Sequence, residues 1–235
     1  MPRSCASNSR CSRQIRPVSA ERIGSTWARG LVLNRSIRIV QSDIQLGLQR
    51  KELAMENVGS EGRGSRRRLA EIALQEAASG RAGNKAMAGP EIERYLSVLR
   101  EALNRNAGTT EFSNTAVGFP WCCAFVYYCC LRAGFRFPAK PVETYRFTLA
   151  AGPAWLNWAQ SEGTFHSAKS SSAEVGDVVL LNRVYDGNPL DHTGIVVAVQ
   201  SDHLLCAEGN NGNRCGVFRR EYSDVEGYVR LPEIA

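Results

Sequence analysis

The chain has 235 residues, of which 43% are hydrophobic and 22% charged, the balance of an ordinary soluble globular protein and not of a collagen, coiled coil or wholly disordered chain. Its longest uninterrupted apolar run, Trp121 to Leu131, has eleven residues, against about 20 for a membrane-crossing helix, so no span is expected. The net charge of +6 is lopsided: ten Lys/Arg stand against three Asp/Glu up to Ala54, and 19 against 20 beyond it. The basic excess therefore belongs to a stretch that does not read as a domain, and nucleic acid is not expected as a partner.

Residues 1–64 read as a basic extension. Arg29, Gly30, Asn34, Arg35 and Arg38 interrupt the only apolar stretch that could serve as the core of a secretory signal. Two readings stay open for this segment, a disordered basic arm or sequence upstream of a true start at Met55. The domain proper is expected over 65–235, after the linker ENVGSEGRGS.

The segment RRRLAEIALQEAASG has Leu69, Ile72, Ala73 and Leu74 at helical spacing and closes on Gly80. A second helix opens at Pro90, with Ile92, Tyr95, Leu96, Leu99 and Leu103 on one stripe and Glu91 and Glu93 at its positive end. The following NRNAGTTEFSNTAVG is expected as a loop of fifteen residues, long enough to suggest a functional or mobile role. Pro120 introduces a third helix over Trp121–Ala133, ended by Gly134, and AWLNWAQSEG a short fourth, whose Trp155 and Trp158 are expected in core or rim packing.

From there the pattern changes to strands. GDVVLLNRV, HTGIVVAVQ, HLLCAEG, GVFRREY and EGYVRLPE are separated by Gly, Asn, Asp and Ser, with a tight turn at Ser201 and Asp202. Gly176 and Asp177 are read as turn chemistry, and SAKSSSA as a solvated loop. Helices first and an antiparallel sheet after them predict an α+β fold.

The eight cysteines fit neither a zinc module nor a disulfide framework. The adjacent pairs Cys122/Cys123 and Cys129/Cys130 are seven residues apart on one helix, a rise of about 10.5 Å, too far for a bridge. They are expected as buried thiols. Only Cys206 and Cys215 could bridge. No metal and no cofactor are called for by the pattern.

Cys122 is singled out by its place at the first turn of a buried helix, where unpaired N–H groups and the positive dipole end favour a thiolate. Such a nucleophile needs an imidazole and a group to orient it. Of three histidines, His192 opens a strand and would present its ring at the sheet end, while His166 and His203 lie in ordinary surface settings. Glu208 follows on the neighbouring strand, with Asn210 on the same side if the strand continues. Singly, each has an ordinary structural reading; together they are ordered as a papain-like site requires.

The stretches GFPWCCAFVYYC, GDVVLL, DHTGIVVAV and AEGNNGN, in that order, resemble the CHAP family of cysteine, histidine-dependent amidohydrolases/peptidases, over about residues 66–233. The resemblance implies a papain-like fold with N-terminal helices packed on a C-terminal antiparallel sheet. It also implies Cys122 as nucleophile, His192 as base and Glu208 with Asn210 as the third element. Cys123 stands where such domains usually carry Ala; some 100° away around the helix, it would point elsewhere. Trp121 is a candidate substrate-binding residue lining the cleft, although an aromatic next to a helix start is more often a packing anchor.

The implied activity is cleavage of amide bonds, in peptidoglycan above all, as an amidase or endopeptidase working through a thioester. The implied setting is the cell envelope or the exterior, and a monomer is expected. The rival readings are a papain-like thiol amidase on a non-wall substrate and a catalytically silent cell-wall binding module.

Overall fold

The computed structural model describes residues 64–185 and 187–234, so the expectations for the basic extension fall outside the described residues, save for Gly64. Among the described residues, four helices precede a six-stranded antiparallel sheet: α1 (Ser65–Ala78), α2 (Glu93–Ala107), α3 (Cys122–Ala133) and α4 (Gly152–Ser161), then β1 (Phe165–Ser167), β2 (Val178–Leu181), β3 (His192–Val199), β4 (His203–Asn211), β5 (Arg214–Glu221) and β6 (Val225–Val229). The strands lie in the order β1-β6-β2-β3-β4-β5. The expected α+β arrangement, helices N-terminal to an antiparallel sheet, is the one observed.

Among the described helices, α3 is the most enclosed. Ten of its twelve residues are buried, so it is apolar around nearly its whole circumference, as a helix enclosed on all sides must be. It ends at Gly134, whose φ of 106° supplies the left-handed turn that lets the chain leave. Its N-terminal end is set by the preceding loop, which Arg100 holds. That guanidinium pairs with Glu93 through two 2.7 Å hydrogen bonds and donates to the carbonyls of Phe112 (2.9 Å), Asn114 (3.3 Å) and Val117 (2.9 Å). The segment expected as a fifteen-residue loop is therefore shorter and pinned: α2 runs on to Ala107, and Glu111–Ser113 form a 3-10 turn.

The sheet is buried on both faces. Val178, Leu180, Ile195, Ala207 and Val229 meet the helices, while Val179, Leu181, Val196, Leu204, Cys206 and Tyr228 pack in a second, smaller cluster on the far side. This alternation follows the two-residue period of a strand. Cys206 and Cys215 consequently lie on opposite faces, and both are free thiols. Cys215 instead donates to the Tyr95 hydroxyl at 3.6 Å.

The turn at Ser201 and Asp202 is present, closed by the Gln200 N–H donating to the His203 carbonyl at 3.0 Å. Trp155 and Trp158 pack with Phe137, at ring separations of 5.8 and 4.6 Å. Strand β1 was not foreseen; it is three residues long and exists by pairing with β6, Phe165 opposite Val229. Asp177 does more than shape a turn. Fully buried, it accepts from the Glu174 N–H (2.8 Å) and from Arg230 (3.0 and 2.8 Å), which ties the start of β2 to the segment after β6.

Candidate active site

Cys122 is the first residue of α3, where the helix offers N–H groups without intrahelical partners and no side chain caps them. Its thiol is lowered well below the ordinary cysteine range. The neighbouring Cys123 thiol favours the charged form and outweighs the cost of burial, and His192 and the Cys123 backbone N–H add to the effect. Cys123 is driven the opposite way, well above the usual range, by that same pairing and by burial. Of the adjacent thiols, Cys122 is thus the one prepared to ionise. The thiols of Cys129, Cys130 and Cys206 are all pushed up by burial.

His192 opens β3, as expected, and its ring is buried. Its Nε2 lies 2.8 Å from Glu208 Oε2. A carboxylate can only accept, so Nε2 carries the proton in that bond. Nδ1 is buried without a conventional hydrogen-bond partner, which leaves it for the interaction with the Cys122 thiol. Burial by itself would lower the pKa of the imidazole; the sulfur and the carboxylate overcome this and push it up to about 9.

Glu208 is fully buried on β4 and saturated with donors. Besides His192, Oε2 receives Asn211 Nδ2 (3.0 Å) and Arg220 Nη2 (2.5 Å), and Oε1 receives Arg220 Nε (2.7 Å). Burial would raise this carboxyl; the Arg220 and His192 partners hold it below the usual carboxylate range.

Asn210 is placed differently from the expectation. The pairing of β4 with β5 slips between Glu208 and Asn211, and Asn210 has a φ of 62°, so strand alternation does not carry through it. The amide that reaches Glu208 is that of Asn211. Trp121 is corrected as well. Fully buried, it stacks on Tyr95 (5.7 Å, 4°) and donates from its indole to Asn213 Oδ1 at 3.0 Å, so it is a packing anchor beneath the helix start and not a wall open to substrate.

Sequence reasoning passed over three neighbours. Nothing in RRE or NNGN marks which side chain turns inward, so Arg220 and Asn211 carried no sequence signal. Tyr185 lies in the loop between β2 and β3, where the Asp191 carboxylate accepts from the backbone N–H groups of Val184 (3.0 Å) and Tyr185 (2.9 Å). Tyr185 is 46% exposed as a whole residue, and its ring meets the His192 ring edge-on at 5.0 Å. An exposed aromatic in a loop carried no sequence signal of this contact.

Among the described residues no three His, Cys, Asp or Glu side chains gather as a metal site, and no helix is long and apolar enough to cross a membrane. What the arrangement can do is bring a buried thiol, an imidazole and a carboxylate into one connected chain at a helix N-terminus.

Residues 114–210 match the family model of the CHAP domain. The resemblance drawn from the sequence motifs thus holds over a segment that contains Cys122, His192, Glu208 and Asn210, and the CHAP domain is one of amidohydrolases/peptidases. No curated protein matches the chain. Of solved structures, "The crystal structure of Ly7917" is 19% identical with a TM-score of 0.35, and "The crystal structure of Ly7917 with the hydrolyzing product of MDP" is 17% identical with a TM-score of 0.32. Each match covers 72% of this chain and 63% of the other, so the likeness spans less than two thirds of the Ly7917 chain.

Proposed function

We propose that residues 65–235 form a thiol hydrolase that cleaves amide bonds of peptidoglycan, as an amidase or endopeptidase, and that Cys122, His192 and Glu208 carry the reaction. The observation that supports it most directly is the pairing at one helix start of a depressed thiol with a raised imidazole, itself held by a buried carboxylate. Peptidoglycan as the substrate class follows from the CHAP family alone.

The Cys122 thiolate attacks the amide carbonyl carbon, and the C=O electron pair moves onto oxygen. Backbone N–H groups at the start of α3 donate to that oxyanion. The intermediate collapses with cleavage of the C–N bond; the His192 imidazolium gives its proton to the leaving nitrogen, and the acyl group remains as a thioester on Cys122. His192 then takes a proton from water, whose oxygen attacks the thioester carbonyl; cleavage of the C–S bond releases the carboxylic acid and returns Cys122 as the thiolate beside the His192 imidazolium. Glu208 stays ionised throughout, orienting the ring and stabilising its charged form.

The test is incubation of the full chain and of Cys122→Ala with purified peptidoglycan, with mass spectrometry of the released termini. New amines and carboxylates from the wild type alone are expected, and their identity names the bond. Release by both proteins would overturn the nucleophile. Release by neither, with Cys122 still rapidly alkylated by iodoacetamide, would move the substrate outside the cell wall. An unreactive Cys122 would leave a binding module.

A further inference from the structure

Three donors converge on Glu208, and only one of the partners is a permanent cation. Arg220 reaches both carboxylate oxygens in a fork, from a side chain that is itself mostly covered and lies over the Phe218 ring at 5.7 Å. We propose, resting on the thiol–imidazole reading above, that Arg220 is a positioning residue that completes a charge-balanced chain of four side chains, Cys122, His192, Glu208 and Arg220, and so holds the first two in their ionised form.

Two physical reasons carry this. The first is geometric. A guanidinium bound through both Nε and Nη2 fixes the plane of the carboxylate as well as its position, which a single-point partner does not. The plane sets where Oε2 points, Oε2 sets the His192 ring through its 2.8 Å bond to Nε2, and the ring in turn presents Nδ1 to the sulfur.

The second reason is electrostatic. With the reactive pair ionised, the chain holds two anions, the Cys122 thiolate and the Glu208 carboxylate, and two cations, the His192 imidazolium and Arg220. Removal of Arg220 leaves one uncompensated negative charge among fully or nearly buried groups, a condition that proteins relieve by taking up a proton. The proton would go to the thiolate or the carboxylate, and either choice dismantles the nucleophile or its support.

Among the described residues, Arg220 is the only permanent cation that hydrogen-bonds Glu208. The titratable neighbours of Arg220, apart from Glu208, are Cys206 and Tyr185, both pushed towards their neutral forms by burial. His192 faces Cys122, Glu208 and the Tyr185 ring; Cys122 faces Cys123 and His192; Tyr185 faces the Asp191 carboxylate, which is a further negative charge.

The experiment follows the rate of iodoacetamide alkylation of Cys122 against pH in the full chain, by tandem mass spectrometry of the peptide that carries it, for the wild type, Arg220→Met, Arg220→Lys and the double variant Glu208→Gln/Arg220→Met. Arg220→Met is expected to raise the midpoint by about one pH unit. The double variant, which removes one charge of each sign, is expected to bring it most of the way back. Arg220→Lys keeps the charge without the fork, so its midpoint should stay at the wild-type value while turnover falls.

An unchanged or lowered midpoint in folded Arg220→Met would overturn the proposal, whatever happened to turnover. Should Arg220→Met fail to fold, Arg220→Lys decides, since a raised midpoint there would show that charge is not what matters. Alkylation needs no substrate, so a wrong substrate class leaves the proposal standing. An ordinary thiol midpoint in the wild type would instead sink the thiol–imidazole reading itself.

Discussion

Gly194 lies against Glu208 across the β3–β4 pair, so closely that a β-carbon at position 194 would stand 2.7 Å from Glu208 Cγ and 3.1 Å from the Ala207 carbonyl oxygen. His192 and Gly194 are two residues apart on β3 and share a face. The bare backbone at Gly194 therefore leaves the lane through which the Glu208 stem reaches His192. A methyl group there must displace either the carboxylate or the strand. Gly194→Ala is expected to lower turnover at least about tenfold and to cost about 2 kcal/mol of stability as overpacking. Steady-state kinetics and thermal unfolding of the same sample check it; wild-type turnover would show that the position of Glu208 is not critical.

Cys123 should not be the nucleophile, but it should matter to the nucleophile. Its thiol, adjacent to Cys122, is the largest single influence favouring the Cys122 thiolate. Cys123→Ala is expected to keep turnover and to raise the midpoint of Cys122 alkylation, whereas Cys122→Ala should lose at least about 10⁴-fold in turnover. Turnover that survives Cys122→Ala and disappears with Cys123→Ala would exchange the two roles.

The dependence of kcat/KM on pH should be bell-shaped. The active form is the thiolate–imidazolium pair. Activity therefore rises as pH climbs through the Cys122 thiol, which lies well below the ordinary cysteine value, and it falls as His192 loses its proton at about 9. Iodoacetamide alkylation of Cys122 should rise through the same acidic midpoint, and Cys122→Ala should lose this low-pH alkylation. A single rising limb with an ordinary thiol midpoint would contradict a preformed ion pair.

Glu208→Gln separates orientation from charge. The amide can still accept from Arg220 but leaves that mostly covered cation without a counter-charge, so a loss of about 3 kcal/mol is expected in denaturant unfolding. Turnover should fall less than in His192→Ala, because the ring keeps a hydrogen-bond partner, and the His192 pKa should drop from about 9 as the carboxylate's charge is lost, which NMR titration of the ring would follow. Equal losses of turnover in the two variants would mean that the charge of Glu208 outweighs its orienting role.

The pieces legible in the sequence were those governed by local rules. Pro120 before an apolar run and Gly134 after it fix α3, and the strand-rich second half with its Ser201–Asp202 turn fixes the sheet. The motifs around Cys122, His192 and Glu208 pointed to those three residues because a helix start, a strand start and a neighbouring strand can each be recognised within a few residues. Local rules left Trp121 open between lining the cleft and anchoring the packing, and Tyr95 and Asn213, which arrive from elsewhere in the chain, decide for packing.

Long-range contact decided the rest. Asn211 replaces Asn210 beside Glu208 because β4 and β5 slip in register between Glu208 and Asn211, and a one-residue slip in a strand changes which face a side chain takes. Arg220 enters the site across the same sheet pair, twelve residues from its partner, and Tyr185 enters from a loop that Asp191 holds in place. The sequence by itself determined which thiol stands at a helix N-terminus, since that depends on backbone groups within one turn. Which nitrogen of His192 faces that thiol, and which cation balances Glu208, was settled only when folding removed water from the site and left each buried charge to be matched by whichever side chain could reach it.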